Sequence, residues 1–201
     1  MKKPDILAAL VPLARALQKA QVAYYIGGSV ASSAYGLPRA TLDVDMVAKI
    51  SRGSVHILVQ ELTGAYYVDE EMILDAIRRR STFKIIHLET MLKIDIFVAG
   101  EEPHQRESFH RKRQEIFDEE SGTRFFFSSP EDIILHKLDW YRRGEEMSER
   151  QWKDVVGVLM VQQDQLDFGY LKKWAHELGV SELLEKALSE AERGGVPGPG
   201  A

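Results

Sequence analysis

Four polar residues recur at every second position of one segment, at Arg39, Thr41, Asp43 and Asp45. In a β-strand, every second side chain points to the same face. The segment therefore predicts a strand with one polar face and one face that suits a core. The residues of that second face are Ala40, Leu42, Val44 and Met46. Because neighbouring carboxylates repel each other unless a cation compensates them, the polar face indicates a metal site.

A glycine turn precedes this segment. An apolar run at 22–26 predicts the first strand, and it ends on Gly27, Gly28 and Ser29. Ser29 is a candidate N-cap for a short helix that ends near Gly36. Such a turn lets backbone N–H groups and a serine hydroxyl approach a phosphate at the N-terminus of a helix.

A third carboxylate follows on a later predicted strand. Segments 82–88 and 92–98 are predicted as two strands joined by a short turn. In the second of them, Lys93, Asp95 and Phe97 share a face, and the alternate positions are apolar. Taken alone, Lys93 and Asp95 are also typical of an exposed cross-strand pair.

These motifs, in this order, resemble the DNA-polymerase-β-like nucleotidyltransferase superfamily. Its signature is a Gly-Gly or Gly-Ser turn, then Asp-x-Asp on the next strand, then a third acid on a later strand. Within the superfamily, the chain more closely resembles the AbiE-type toxins than other branches. In those toxins a later helix supplies a Lys, and the following helix supplies an Asp. The matching residues here are Lys137 and Asp154, and the resemblance runs from about Tyr25 to Asp154.

The resemblance implies Mg²⁺-dependent chemistry on a nucleoside triphosphate. Two Mg²⁺ ions about 3.5–4 Å apart can neutralise the triphosphate and the attacking oxygen. Asp43 and Asp45 would bind metal, and Asp95 would bind the second metal or act as base. The implied nucleotide-binding residues are Gly27, Gly28, Ser29, Arg39 and Thr41. Lys137 would reach the nucleotide and complete the catalytic set with the three Asp residues.

The second half departs from the family pattern at one place. Lys153 precedes Asp154 where the relatives often have Arg. A Lys does not bind phosphate or carboxylate bidentately as an Arg does. Two alternatives stay open: Lys137 as a solvated helix lysine, and Asp154 as a helix-capping or ion-pairing acid.

The amino-acid composition limits the classes of function that the chain can have. The chain has 201 residues, no cysteine and a formal net charge of -5. Disulfides, thiolate metal sites and cysteine nucleophiles are excluded, and the acidic balance disfavours a protein that coats nucleic acid. We interpret the basic residues Arg111, Lys112 and Arg113 as a solvated loop in preference to an RNA-binding patch. No segment approaches the roughly 20 apolar residues that span a bilayer, and we expect a cytoplasmic protein without a secretion signal.

The element pattern predicts an α+β fold. Residues 1–100 would form the nucleotidyltransferase core, a small mixed β-sheet flanked by helices. Residues 101–193 would form a mostly helical region with a hairpin, which closes the active-site cleft. Residues 194–201 are rich in Gly and Pro and predict a disordered tail.

The leading hypothesis is a nucleotidyltransferase that uses an NTP such as ATP. The resemblance implies a tRNA 3′ end or a protein side chain as acceptor, and the toxin role with a cognate antitoxin as partner. No membrane or DNA partner is expected. The alternative is a catalytically inactive nucleotide-binding or interaction module with the same fold, and a third hypothesis is an RNA-binding adaptor.

Overall fold

The computed structural model describes residues 3–41 and 43–194. Two predictions fall outside these residues, namely the place of Leu42 in the core and the disorder of 195–201. Gly194, the first residue of the predicted tail, is the last residue of a helix. Within the described part of the chain, no helix is both long enough and apolar enough to cross a membrane.

The chain forms two compact units. The first, here called the sheet unit, comprises the chain up to Val30 and Ala40–Ser128. The second, the helical unit, comprises Ala31–Arg39 and the chain from Ser129 onward. The units therefore do not follow the boundary expected near Gly100. The hairpin expected in the C-terminal region belongs to the sheet unit, because one of its strands pairs with the first strand of the chain.

Among the residues that the structure describes, the sheet unit contains one mixed sheet of seven strands in the order β3-β4-β5-β2-β1-β7-β6. Strand β1 is antiparallel to β2 and parallel to β7, and the central strand β2 is parallel to β5. The α+β class with a mixed sheet is thus confirmed. The strands are β1 (Tyr24–Ile26), β2 (Asp43–Ala48), β3 (Tyr66–Tyr67), β4 (Thr82–His87), β5 (Lys93–Val98), β6 (Arg113–Asp118) and β7 (Thr123–Phe127).

Alternating side chains give β2 and β5 one apolar face and one polar face. Val44, Met46, Ile94 and Ile96 are at most 1% exposed, so this face lies in the core. A helix that packs on such an apolar face stabilises the sheet mainly because apolar surface is removed from water. The helices of the first part of the chain are α1 (Lys3–Lys19), α2 (Gly28–Tyr35), α3 (Arg52–Leu62), α4 (Glu70–Arg79) and α5 (Pro103–Arg111).

The C-terminal segment of the helical unit begins with a helix-start signal that the sequence predicted correctly. Ser129 is the N-cap of α6, its Oγ accepts from the Asp132 backbone N–H at 3.1 Å, and Pro130 is the first helical residue. The helices of this unit are α6 (Pro130–Arg143), α7 (Glu149–Gln162), α8 (Phe168–Glu177) and α9 (Ser181–Gly194), with a short 3-10 helix at Gln163–Gln165.

Two buried acids join α8 to α6. Tyr170 Oη donates to Asp132 Oδ1 at 2.7 Å, and the Asp167 backbone N–H donates to Glu131 Oε1 at 3.0 Å. Glu131 and Asp132 are at most 1% exposed, and buried polar groups stabilise a fold only when they are hydrogen-bonded.

The element boundaries near the glycine turn differ from the prediction. Strand β2 begins at Asp43, so Arg39 and Thr41 precede it. Pro38 lacks the N–H that a strand ladder needs, which is consistent with the later start. Helix α2 begins at Gly28, so Ser29 lies in its first turn and is not its N-cap.

Candidate functional site

Three carboxylates share one face of the sheet, here called the acidic face and defined by Asp43, Asp45 and Asp95. Strands β2 and β5 run in register, with Asp45 opposite Asp95 and Asp43 opposite Lys93. Asp43 is exposed, and the other two are partly exposed. The alternation read from the sequence correctly placed these residues on a solvent-facing surface.

A lysine that the sequence analysis missed pairs with the third carboxylate. Lys84 lies opposite Asp95 in the β4–β5 ladder, and its Nζ is 3.1 Å from Asp95 Oδ1. The outward position of Lys84 follows from the alternation of β4, whereas its partner depends on strand pairing. Among the residues that the structure describes, no group of three or more His, Asp or Glu residues is gathered closely enough to hold a metal.

The glycine turn lies directly against the acidic face. Gly28 has a φ of +53°, and a Cβ added to it would lie 2.6 Å from Asp45 Cγ. A side chain is therefore excluded at this position both by the backbone conformation and by the carboxylate. The Gly27 backbone N–H also donates to the Asp45 carbonyl oxygen at 2.9 Å. The turn and the acidic face are thus one local structure, with Ser29 next in the first turn of α2.

Thr41 contacts the start of β2. Its Oγ1 lies 3.1 Å from Asp43 Oδ1 and 3.0 Å from the Asp43 carbonyl oxygen. The predicted proximity of Thr41 to the carboxylates is therefore observed, although Thr41 itself is not part of the strand.

Arg39 precedes strand β2 and is therefore not one of its alternating residues, in contrast to the prediction. It belongs to the helical unit, where Nε and Nη2 donate to the two carboxylate oxygens of Asp154 at 2.7 and 2.8 Å. This bidentate fork commits the guanidinium to a carboxylate. The period-2 pattern of the sequence extends beyond the start of the strand at Asp43, and that is why the prediction placed Arg39 in the strand.

Lys137 binds the same carboxylate from α6. Its Nζ donates to Asp154 Oδ2 at 2.7 Å and to Gln151 Oε1 at 3.0 Å. Lys137 is 5% exposed and Asp154 is 8% exposed. Lys137 is therefore a buried, paired lysine and not a solvated one, and Asp154 is an ion-pairing acid. Arg39, whose side chain is 26% exposed, is the more accessible partner of Asp154.

The charge of Asp154 is held by its two partners. Burial acts to raise the pKa of this carboxyl, but hydrogen bonds from Arg39 and Lys137, together with their charges, hold the pKa below its usual value. Asp154 is consequently ionised at neutral pH. Lys153, by contrast, is exposed, and its Nζ lies 3.4 Å from Glu149 Oε2.

The acidic face fits a divalent cation by the type of its donors. Mg²⁺ prefers carboxylate oxygens supplemented by phosphate oxygens and water, and Asp43, Asp45 and Asp95 offer carboxylates from one face. The side-chain-free Gly28 provides the space that the Asp45 carboxylate occupies. One oxygen of Asp95 already pairs with Lys84, so Asp43 and Asp45 are the better-placed pair.

Comparisons with known proteins identify the fold. No protein-family model matches the sequence, and no curated protein is significantly similar to it. The solution structure of the antibiotic-resistance factor ANT(2'')-Ia superposes with a TM-score of 0.54 at 14% identity, over 96% of this chain and 97% of that one. The crystal structure of an antigenic nucleotidyltransferase-like protein from Paracoccidioides brasiliensis gives a TM-score of 0.52 at 15% identity, over 94% and 93%. The chain is thus similar in fold, over almost its full length, to solved nucleotidyltransferase-like proteins.

Proposed function

We propose that the chain is a Mg²⁺-dependent nucleotidyltransferase, which moves a nucleotidyl group from an NTP to an acceptor hydroxyl. The observation that carries this proposal is the acidic face, with Asp45 and Asp95 in register on neighbouring strands and with Gly28 against Asp45. The similarity of fold to nucleotidyltransferase-like structures supports the same reaction class.

The reaction forms one bond and breaks another at the α-phosphorus of the NTP. The acceptor oxygen attacks the α-phosphorus, pyrophosphate leaves with the electron pair of the broken P–O bond, and the acceptor loses its proton to a base. Asp43 and Asp45 would hold Mg²⁺, and Asp95 would take the proton or bind a second ion. When bound, Mg²⁺ supplies charge neutralisation for the phosphates and orients the attacking oxygen.

The glycine turn would bind the phosphates. Backbone N–H groups at the start of α2, at Gly28 and Ser29, present partial positive charge where a helix begins. Gly27 would shape the turn, because its own N–H donates to the Asp45 carbonyl oxygen. Thr41 orients Asp43 by donating to it. The resemblance to AbiE-type toxins alone supports Lys137 as a nucleotide-binding residue, since Asp154 pairs with Lys137 as well as with both branches of the Arg39 fork.

The acceptor sets the biological role. The resemblance to AbiE-type toxins favours a tRNA 3′ end or a protein side chain, and with it a toxin regulated by a cognate antitoxin. The similarity of fold to an antibiotic-resistance factor suggests a second candidate, in which the acceptor is a hydroxyl-bearing antibiotic. Both candidates use the same site and the same transfer chemistry.

The test is to incubate the full chain with each of the four α-³²P-labelled NTPs and MgCl₂. Parallel reactions contain total tRNA, cell lysate or a panel of hydroxyl-bearing antibiotics, and the labelled pool identifies the acceptor. The control variants are Asp43→Asn and Asp45→Asn, which keep the shape of each side chain and remove its charge. Labelling by wild type that both variants lose supports the proposal. Binding of NTP without labelling of any pool would support the inactive nucleotide-binding module instead.

A further inference from the structure

Two lysines of the sheet unit converge on one aromatic ring. Lys49 directly follows β2, and Lys112 lies between α5 and β6. The Lys49 Nζ is 4.6 Å from the centroid of the Phe109 ring, and the Lys112 Nζ is 5.7 Å from the same centroid. The Lys112 Nζ also lies 5.4 Å from the centroid of Phe126. We call Lys49, Lys112, Phe109 and Phe126 the lysine patch.

The rings that carry these cations are fixed by the core. Phe109 is 3% exposed and packs against Tyr25 with ring centroids 4.9 Å apart. Phe126 is partly exposed and meets Tyr24 edge to face, with centroids 5.9 Å apart. The Lys112 Nζ further donates to the Phe109 carbonyl oxygen at 3.3 Å. The ammonium groups therefore lie against rings that pack on the core residues Tyr25 and Tyr24.

The positive charge of the patch is not balanced by a carboxylate. Within the described chain, neither Lys49 nor Lys112 forms an ion pair, and their contacts are those with the two rings and the Phe109 carbonyl. Burial and the charge of Lys49 lower the pKa of Lys112, which means that the two like charges are held close enough to oppose each other. Two cations held together without an anion are a receptor for one.

We propose that the lysine patch binds the phosphates of single-stranded RNA. Single-stranded nucleic acids are bound by cations that follow the backbone and by aromatic side chains that stack on bases. Lys49 and Lys112 provide the cations, and the partly exposed Phe126 provides the ring. Arg124, exposed two positions before Phe126 on β7, adds a further positive charge beside that ring.

The lysine patch shares no residue with the acidic face, so its binding of RNA can be tested without the transfer reaction. Fluorescence anisotropy of a fluorescein-labelled 12-nucleotide oligouridine is measured with the full chain, without Mg²⁺ and NTP, over a series of salt concentrations. The variant is Lys49→Met/Lys112→Met, because Met keeps an unbranched apolar stem over the rings and removes the charge. The matched control, Lys153→Met/Lys172→Met, removes two exposed lysine charges from the helical unit.

The patch variant should bind the oligouridine about tenfold or more weakly than wild type. The reason is that each lysine would lose one charge-assisted hydrogen bond to a phosphate. The slope of log K against log salt should fall by about 1.4, since a single strand contributes about 0.7 for each phosphate contact. The control should bind as wild type does. Lys49→Met alone, at an exposed position, should give about half the change in slope even if the double variant folds poorly.

Equal affinity and equal slope in wild type and patch variant would overturn the proposal, as would a wild type that does not bind the oligouridine. Uridine monophosphate provides the other arm of the experiment. A wild-type affinity for the monophosphate equal to that for the oligouridine would overturn the assignment to an RNA chain, because the site would then take a free phosphate.

Discussion

The pairing of Asp154 decides between two readings of the second half of the chain. The sequence alone leaves open Lys137 as a solvated helix lysine and Asp154 as a helix-capping or ion-pairing acid. In the structure, Asp154 accepts from Lys137 on α6 and from both branches of the Arg39 fork. Buried charges of this kind are stable only when each is compensated, so the three residues act as a unit.

Replacing Asp154 by Asn should destabilise the protein strongly. The variant leaves Lys137 buried without its carboxylate, and removal of one partner from a buried ion pair costs about 3–5 kcal/mol in the free energy of unfolding. Urea denaturation at pH 7 measures this change. Asp75→Asn is the control, because Asp75 pairs with Arg78 and Arg79 on an exposed helix surface and its loss should matter much less. Equal destabilisation by the two variants would contradict the account.

The stability that Asp154 contributes should depend on pH in one direction. Because the pKa of Asp154 is lower in the folded state than in the unfolded state, the contribution is complete above the unfolded value of about 3.9 and is lost as the pH falls through the folded value. The difference in unfolding free energy between wild type and Asp154→Asn should therefore be constant from about pH 5 to pH 8 and shrink below about pH 4. A difference that grows on acidification would exclude this cause.

At the scale of elements, the turn between β1 and α2 is built around Asp45. Gly28 has a left-handed backbone conformation and lies where a side chain would overlap the Asp45 carboxylate. Gly27 lies beside it without either restriction, because a Cβ there would meet nothing within 4 Å. The two glycines of one sequence motif therefore have different roles.

The two Gly→Ala variants should separate these roles. Gly28→Ala should lower the free energy of unfolding by more than about 1 kcal/mol, because it strains the backbone and displaces Asp45. Gly27→Ala should have a smaller effect, since its Cβ has space. Urea denaturation of both proteins provides the measurement. A loss in Gly27→Ala as large as that in Gly28→Ala would show that the Asp45 contact is not the constraint at this turn.

Local patterns predicted the elements well but did not predict their partners. Alternation identified β2 and β5, and the Ser129-Pro130 signal identified the start of α6, because both depend on neighbours in sequence. The pairing of Lys84 with Asp95 depends on how two strands align. The fork from Arg39 to Asp154 joins residues 115 positions apart, and no local pattern encodes it.

At the scale of the molecule, the sheet is larger than the sequence indicated. Strand β7 pairs with β1 through Ile26 and Phe127, which brings the hairpin into the same sheet as the acidic face. The sequence identified the hairpin but not this long-range parallel pairing, because about 100 residues separate the two strands. The predicted boundary near Gly100 therefore divided elements that form one compact unit.

The central claim is that the acidic face directs transfer at the α-phosphorus of an NTP. Wild type and Asp45→Asn are incubated with MgCl₂ and with ATP labelled at either the α- or the γ-phosphate, or with another NTP if the acceptor assay favours it. The account predicts that only α-label enters the product and that γ-label is released as pyrophosphate. It also predicts that EDTA stops the reaction and that Asp45→Asn slows it at least about a hundredfold. Incorporation of γ-label, or equal incorporation of α-label by Asp45→Asn, would contradict the claim.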